Sequence, residues 1–279
     1  MKKHIRLLTL AAAALALFSS VGCDKLRARD QLNKGVTAYK NAKYEEAIEH
    51  FQQAVTLDPT LLNAKMYLAT AYAQQYIPGA DTPENNQMAE QAIKQYQSVL
   101  DSPHPAREQR VNSAKGIAYL YLNMKKFDEA KKYYRLASDA DPNDPEPYYS
   151  VGVIDWTACY QPRMEERAKL GLKPEENLNP KNKDQKKTCD ELKVKNGPAI
   201  AEGIESLNKA IELRPDYDDA MAYMNLMYRE KADVECADMA ARAEDLKTAD
   251  MWVDKTMATK KAKAEKQPGT QGITMDQSK

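Results

Sequence analysis

Residues 42–59 read AKYEEAIEHFQQAVTLDP, and residues 125–142 read KKFDEAKKYYRLASDADP with the same skeleton of aromatic, Ala, aromatic, Ala and Pro. Tyr44, Ala47, Phe51 and Ala54 recur at intervals of three and four, which places them on one helical face, and the Asp58-Pro59 pair ends that helix. Upstream, Leu32, Gly35, Val36 and Tyr39 form a second such face, and the short break at Asn41 to Lys43 folds the two helices into an antiparallel hairpin. A looser copy, PAIAEGIESLNKAIELRP at residues 198–215, keeps Leu207, Ala210 and Pro215 in register and puts Gly203 at the first Ala position. One hairpin of this kind cannot bury its own apolar face. A chain that repeats it is forced into a stack of helix pairs, an all-α architecture.

The spacing is kept across both helices of the pair. Gly35 precedes Tyr44 by the same interval as Ala118 precedes Phe127. A small residue on the first helix, Ala on the second, an aromatic four residues on, another Ala and then Pro is similar to the tetratricopeptide repeat (TPR) family, and the fold this implies is a TPR-like helical-hairpin solenoid. The segments 28–61 and 111–144 carry the regular form. An irregular repeat, 62–110, uses Ala69, Tyr72, Ala92, Tyr96 and Val99, with an enlarged turn, YIPGADTPENN, at residues 76–86. Repeat 145–217 opens with Tyr148, Gly152 and Trp156 and is enlarged by a charged insert at about 160–198. Repeat 218–258 closes an array of about five, two of them enlarged. The insert reads as a solvated extension of one hairpin, broken at Asn196-Gly197-Pro198, with too few apolar residues for a core of its own. Residues 259–279 read as a disordered tail.

The first 23 residues, MKKHIRLLTLAAAALALFSSVGC, have a basic start, an apolar core from Leu7 to Phe18 and a small-residue end, the form of an export signal. That apolar run is shorter than the roughly 20 residues a spanning helix needs. Ser20-Val21-Gly22-Cys23 resembles the processing site of bacterial lipoproteins, which implies cleavage after residue 22 and acylation of Cys23. The chain is then a membrane-anchored protein of the bacterial envelope facing the periplasm. Asp24 favours the inner membrane by the enteric form of that resemblance. The other reading is an exported protein cut near Gly22 with an incidental Cys. Basic and acidic residues balance at 41 each, and removing residues 1–22 leaves a mildly acidic chain of about −3. No basic excess points to nucleic acid.

Nothing in the sequence carries chemistry. The three His, at 4, 50 and 104, have no partner at metal-ligand spacing, and no phosphate-cradling glycine loop or G-x-S-x-G nucleophile turn occurs. We expect no catalytic, metal or cofactor site and a non-enzyme. The thiols besides Cys23 are Cys159, Cys189 and Cys236, in a compartment that permits disulfides. Extended arms of one hairpin favour a Cys159–Cys189 bridge, with Cys189–Cys236 and three free thiols as the alternatives.

The family resemblance implies a concave surface lined by first helices that holds peptides or partner helices. Its positions in this chain are Leu32, Val36, Tyr39, Met66, Thr70, Lys115, Tyr119, Leu122, Tyr149, Val153 and Trp156. Leu32 and Val36 stand where carboxylate-gripping members carry Lys and Asn, so capture of a C-terminal carboxylate is disfavoured. Two functions remain open: a lipid-anchored scaffold for a protein or peptide partner, or an envelope lipoprotein whose groove binds a small molecule, glycan or peptide fragment. The rings of Tyr39, Tyr119, Tyr149 and Trp156 either form a binding wall or pack against neighbouring helices.

Overall fold

A computed structural model describes residues 23–173 and 176–266. The expected export signal at 1–22 and the end of the expected tail fall outside the described residues. Among them the structure is ten helices and no strand: α1 (residues 23–40), α2 (Tyr44–Leu57), α3 (Leu62–Gln75), α4 (Pro83–Leu100), α5 (Arg107–Asn123), α6 (Phe127–Ala140), α7 (Pro145–Lys169), α8 (Lys183–Leu213), α9 (Asp218–Val234) and α10 (Met239–Lys266). They fall into two compact units that divide after Asp141, and each is described by itself.

In the first unit the repeated text produces repeated geometry. Ala42 and Lys125, at equivalent turn positions, both take the left-handed conformation with φ of 58°. Lys43 and Lys126 then enter α2 and α6 at φ −89° and ψ of 70° and 74°. Asp58 and Asp141 leave those helices at φ −140° and −137°, extended as a residue before Pro must be. Ala47, Phe51 and Ala54 are fully buried, as are Ala130 and Ala137. A Cβ on Gly35 would overlap the Phe51 ring, so the small residue of α1 is the seat of the aromatic from α2. The core joins Phe51 to Leu68, Ala69, Tyr72, Ala92, Tyr96, Ile117 and Leu120 across α2 to α5.

The enlarged turn between α3 and α4 is held by one side chain. Asn85, almost fully buried, accepts from the Ile77 N–H at 2.7 Å and donates to the carbonyls of Ile77 at 2.9 Å and Ala80 at 2.6 Å. Thr82 caps α4 and Pro83 opens it. A stretch rich in helix breakers is thereby fixed.

In the second unit α7 and α8 form the long hairpin, and α8 packs on α9 and α9 on α10. α8 runs unbroken through Asn196-Gly197-Pro198, contrary to the expected break, and Pro162 likewise sits inside α7. Each proline removes one intrahelical hydrogen bond. Packing at this level offsets the loss: buried Asn196 donates its amide to the Cys159 carbonyl at 3.2 Å, and the Cys159 thiol donates to the Asn196 carbonyl at 3.7 Å.

That register corrects the expected Cys159–Cys189 bridge. Cys159 lies level with Asn196, leaving Cys189 about two turns away along α8. Cys189 instead bonds Cys236, just past α9, with a Cα–Cα distance of 6.4 Å, and Cys159 is buried outside that bridge.

The insert is also not a solvated extension. Leu178, Cys189 and Leu192 belong to the core of the second unit. Beside them lies an ionic cluster none of whose carboxylate or guanidinium side chains is more than 13% exposed. Arg163 Nε stands 2.8 Å from Glu230, Asp233 receives Arg163 at 2.5 Å, Arg167 at 3.0 Å and Arg242 at 3.4 Å. Arg167 donates to the Glu176 carbonyl at 2.6 Å, so the charges also tie down the loop between α7 and α8. Burial pushes the Glu230 carboxyl up to about 7 against the pull of Arg163. Finally, α10 continues to Lys266, so residues 259–266 are helix rather than the expected tail.

Candidate partner groove

Each expected groove residue of the first unit lies on a first helix, α1, α3 or α5, but their exposures differ. Leu32, Val36 and Tyr39 on α1 are half-buried against the core, and the Tyr39 ring meets Tyr44 edge-on at 5.3 Å. Burial, with Tyr44 beside it, raises the Tyr39 phenol above its usual range. On α3, the Thr70 hydroxyl and the Tyr96 hydroxyl share a hydrogen bond of 2.9 Å. Burial keeps Tyr96 protonated as well. On α5, Lys115 and Leu122 are half-buried, whereas Tyr119 is 51% exposed.

Met66 and Thr70 line a cleft of about 550 Å³ between α3 and α5, with Asn63, Tyr67, Glu108, Gln109 and Asn112 around it. Gln109 donates to Asn63 across its mouth at 2.8 Å. The cleft is therefore mixed in polarity. Sequence reasoning passed over Tyr67. Its ring stacks on Phe51 at 5.6 Å yet stays 42% exposed. A signal was available: in the aligned repeats its position holds Asn33 and Gly116, so a ring there is not required by the repeat core.

Tyr149, Val153 and Trp156 on α7 belong to the second unit and are half-buried. Tyr149 packs on Tyr217 at 4.9 Å and on Tyr223 of α9 at 5.8 Å. Trp156 stacks on Tyr160 at 5.0 Å and meets Tyr223 at 5.5 Å. Burial and the neighbouring Tyr223 push the Tyr149 phenol up to about 12. These rings hold α7 to α9, which is the packing alternative. Among the described residues no group of His, Cys, Asp and Glu is arranged to hold a metal ion, and no helix is long and apolar enough to cross a membrane.

Two family models, each described as a tetratricopeptide repeat, match residues 28–61 and 116–144. The crystal structure of MamA protein superposes with a TM-score of 0.55 at 13% identity, covering 87% of this chain and 97% of that one. MamA residues 41 to the end from Desulfovibrio magneticus RS-1 gives 0.52 at 16% identity, covering 85% and 96%. The chain carries tetratricopeptide repeats at these two segments, within an all-α helical-repeat fold. No curated protein matches it significantly in sequence. In the first unit the first helices α1, α3 and α5 present two half-exposed rings, Tyr67 on the cleft wall and Tyr119 farther along α5.

Proposed function

We propose that the chain is a lipid-anchored envelope scaffold that holds a protein or peptide partner on the α3–α5 face of its first unit. The observation that carries the reading is the exposed Tyr67 ring on the wall of a cleft that offers both apolar surface in Met66 and amides in Asn63 and Asn112, with the exposed Tyr119 ring about two turns along α5 from Asn112. Rings flanking amides suit a polypeptide, which presents side chains to the first and backbone groups to the second. Lys115 and Leu122 extend the same helix, and Leu32, Val36 and Tyr39 back the neighbouring one. Tyr149, Val153 and Trp156 are assigned to structure. The anchor is an acylated Cys23, which is exposed at the first turn of α1.

The test is co-purification from detergent-solubilised membranes with the intact chain, Tyr67→Ala and Tyr119→Ala. A stoichiometric protein recovered by the intact chain should be lost with either variant, each ring contributing on the order of 2 kcal/mol. Equal recovery by all three removes this face as the site. Cell fractionation of Cys23→Ser tests the anchor separately: release of the chain from membranes is expected, and continued association contradicts lipidation.

A further inference from the structure

In the inner pairs, α2, α4 and α8 each pack against the first helix of the pair that follows. No described element follows α10. On its outer side Met239, Leu246 and Val253 recur every seven residues, and Ala243, Asp250 and Met257 recur every seven residues four positions later. That alternation is the seam of a coiled coil, and it presents its apolar side chains to another helix. Met239 is 62% exposed, Met257 64% and Val253 38%, with Ala243 exposed and Leu246 half-exposed. The adjoining side of the helix, through Arg242, Asp245, Ala249 and Thr256, is buried, so the seam runs along the border of the packed face. An end helix in a repeat array ordinarily turns a polar side outward.

We infer that this seam is a self-association surface, in which α10 pairs antiparallel with α10 of a second copy about a two-fold axis. The charges choose the occupant. With Leu246 set against Met257 of the second copy, Lys247 falls beside Asp254 of the second copy, and symmetry makes that pair twice. A seam of one sign would have repelled its own copy. Asp250, the polar residue in the middle of the seam, falls against Val253 of the second copy and is already held by Arg229 at 2.8 Å. The pairing is a closed one, so it gives dimers rather than filaments. It is independent of the α3–α5 face, which lies in the other unit.

The experiment is sedimentation equilibrium on residues 23–279 carrying Cys23→Ser, which removes both the lipid and any bridge through that exposed thiol. A reversible dimer is expected. Val253→Asp should raise its dissociation constant at least about tenfold with the helical circular dichroism unchanged. Lys247→Asp and Asp254→Lys should each weaken the dimer, and the two together should restore it, since the swap recreates the pair across the two-fold. A chain monomeric at about 100 µM overturns the inference. So does a dimer indifferent to Val253→Asp, or single charge variants that the double variant fails to rescue.

Discussion

The two units are built from the same helix pairs and are held together by different means. In the first, the core is small residues and rings in repeat register: Gly35 under Phe51, Ala47, Ala54, Ala130 and Ala137. In the second, the pair α7–α8 has outgrown the repeat, and a disulfide and an ionic cluster fasten the overhang to the end of α9. The repeats of the first unit close on apolar contacts supplemented by neutral hydrogen bonds such as Gln52 to Tyr72 at 2.6 Å. A longer hairpin leaves two helix ends without a neighbouring repeat, and specific bonds replace the missing burial. The difference also sorts the aromatic residues, because the second unit spends Tyr149 and Trp156 on α9 while the first leaves Tyr67 and Tyr119 half-exposed.

The largest way to break this comparison is through the bridge. Cys189 and Cys236 are 47 residues apart, and closing a loop of that size stabilises by about 4 kcal/mol in the chain-entropy account. The double variant Cys189→Ser/Cys236→Ser should lose stability of that order in urea denaturation, with hydrogen exchange quickening in α8, α9 and α10 and unchanged in α1 to α6. Next comes Asp233→Asn, which leaves three arginines facing one carboxylate. Breaking a buried pair costs about 3 kcal/mol or more, again confined to the second unit. Trp156→Ala should cost about 2 kcal/mol by removing a half-buried ring, whereas Tyr119→Ala should change stability by less than about 0.5 kcal/mol. Similar losses for the two would erase the division of rings between packing and display.

How much of this was legible in the sequence follows from what kind of contact is involved. The hairpins of 28–61 and 111–144 were readable because their cores are local: Tyr44 to Ala54 and Phe127 to Ala137 declare a helical face, and the residue before each Pro declares its end. The insert was misread because Arg163 and Asp233 are 70 residues apart, and charge taken one segment at a time looks like a solvated face. The disulfide failed for a related reason. Pairing Cys159 with Cys189 assumed a symmetric hairpin, but the loop from Leu170 to Asn182 shifts the register so that Cys159 meets Asn196. At the groove, the family resemblance named residues that all lie on the first helices of their pairs. It missed Tyr67, whose ring leans on Phe51 and is displayed in one motion.

The ionic cluster also predicts a dependence on pH with an unusual sign. Burial raises the Glu230 carboxyl from 4.5 to about 7 in the folded chain, so the native state holds a proton that the unfolded state has released. Stability of the second unit should be greatest below about 4.5 with respect to this group and should fall as pH rises toward 7, by up to about 3 kcal/mol. Glu230→Gln, which keeps the neutral shape, should flatten that slope in thermal melts taken between pH 5 and pH 7.5. An unchanged slope would mean that Arg163 keeps the carboxylate ionised throughout.

The central claim is that the first unit displays its rings for a partner while the second uses its rings and charges to hold itself together. Hydrogen exchange of the intact chain with and without its co-purified partner measures this directly. The account predicts new protection at residues 62–75 and 107–123, covering α3 and α5, and none at 160–198. Protection confined to 160–198, with α3 and α5 unchanged, would contradict it and move the binding surface to the enlarged hairpin.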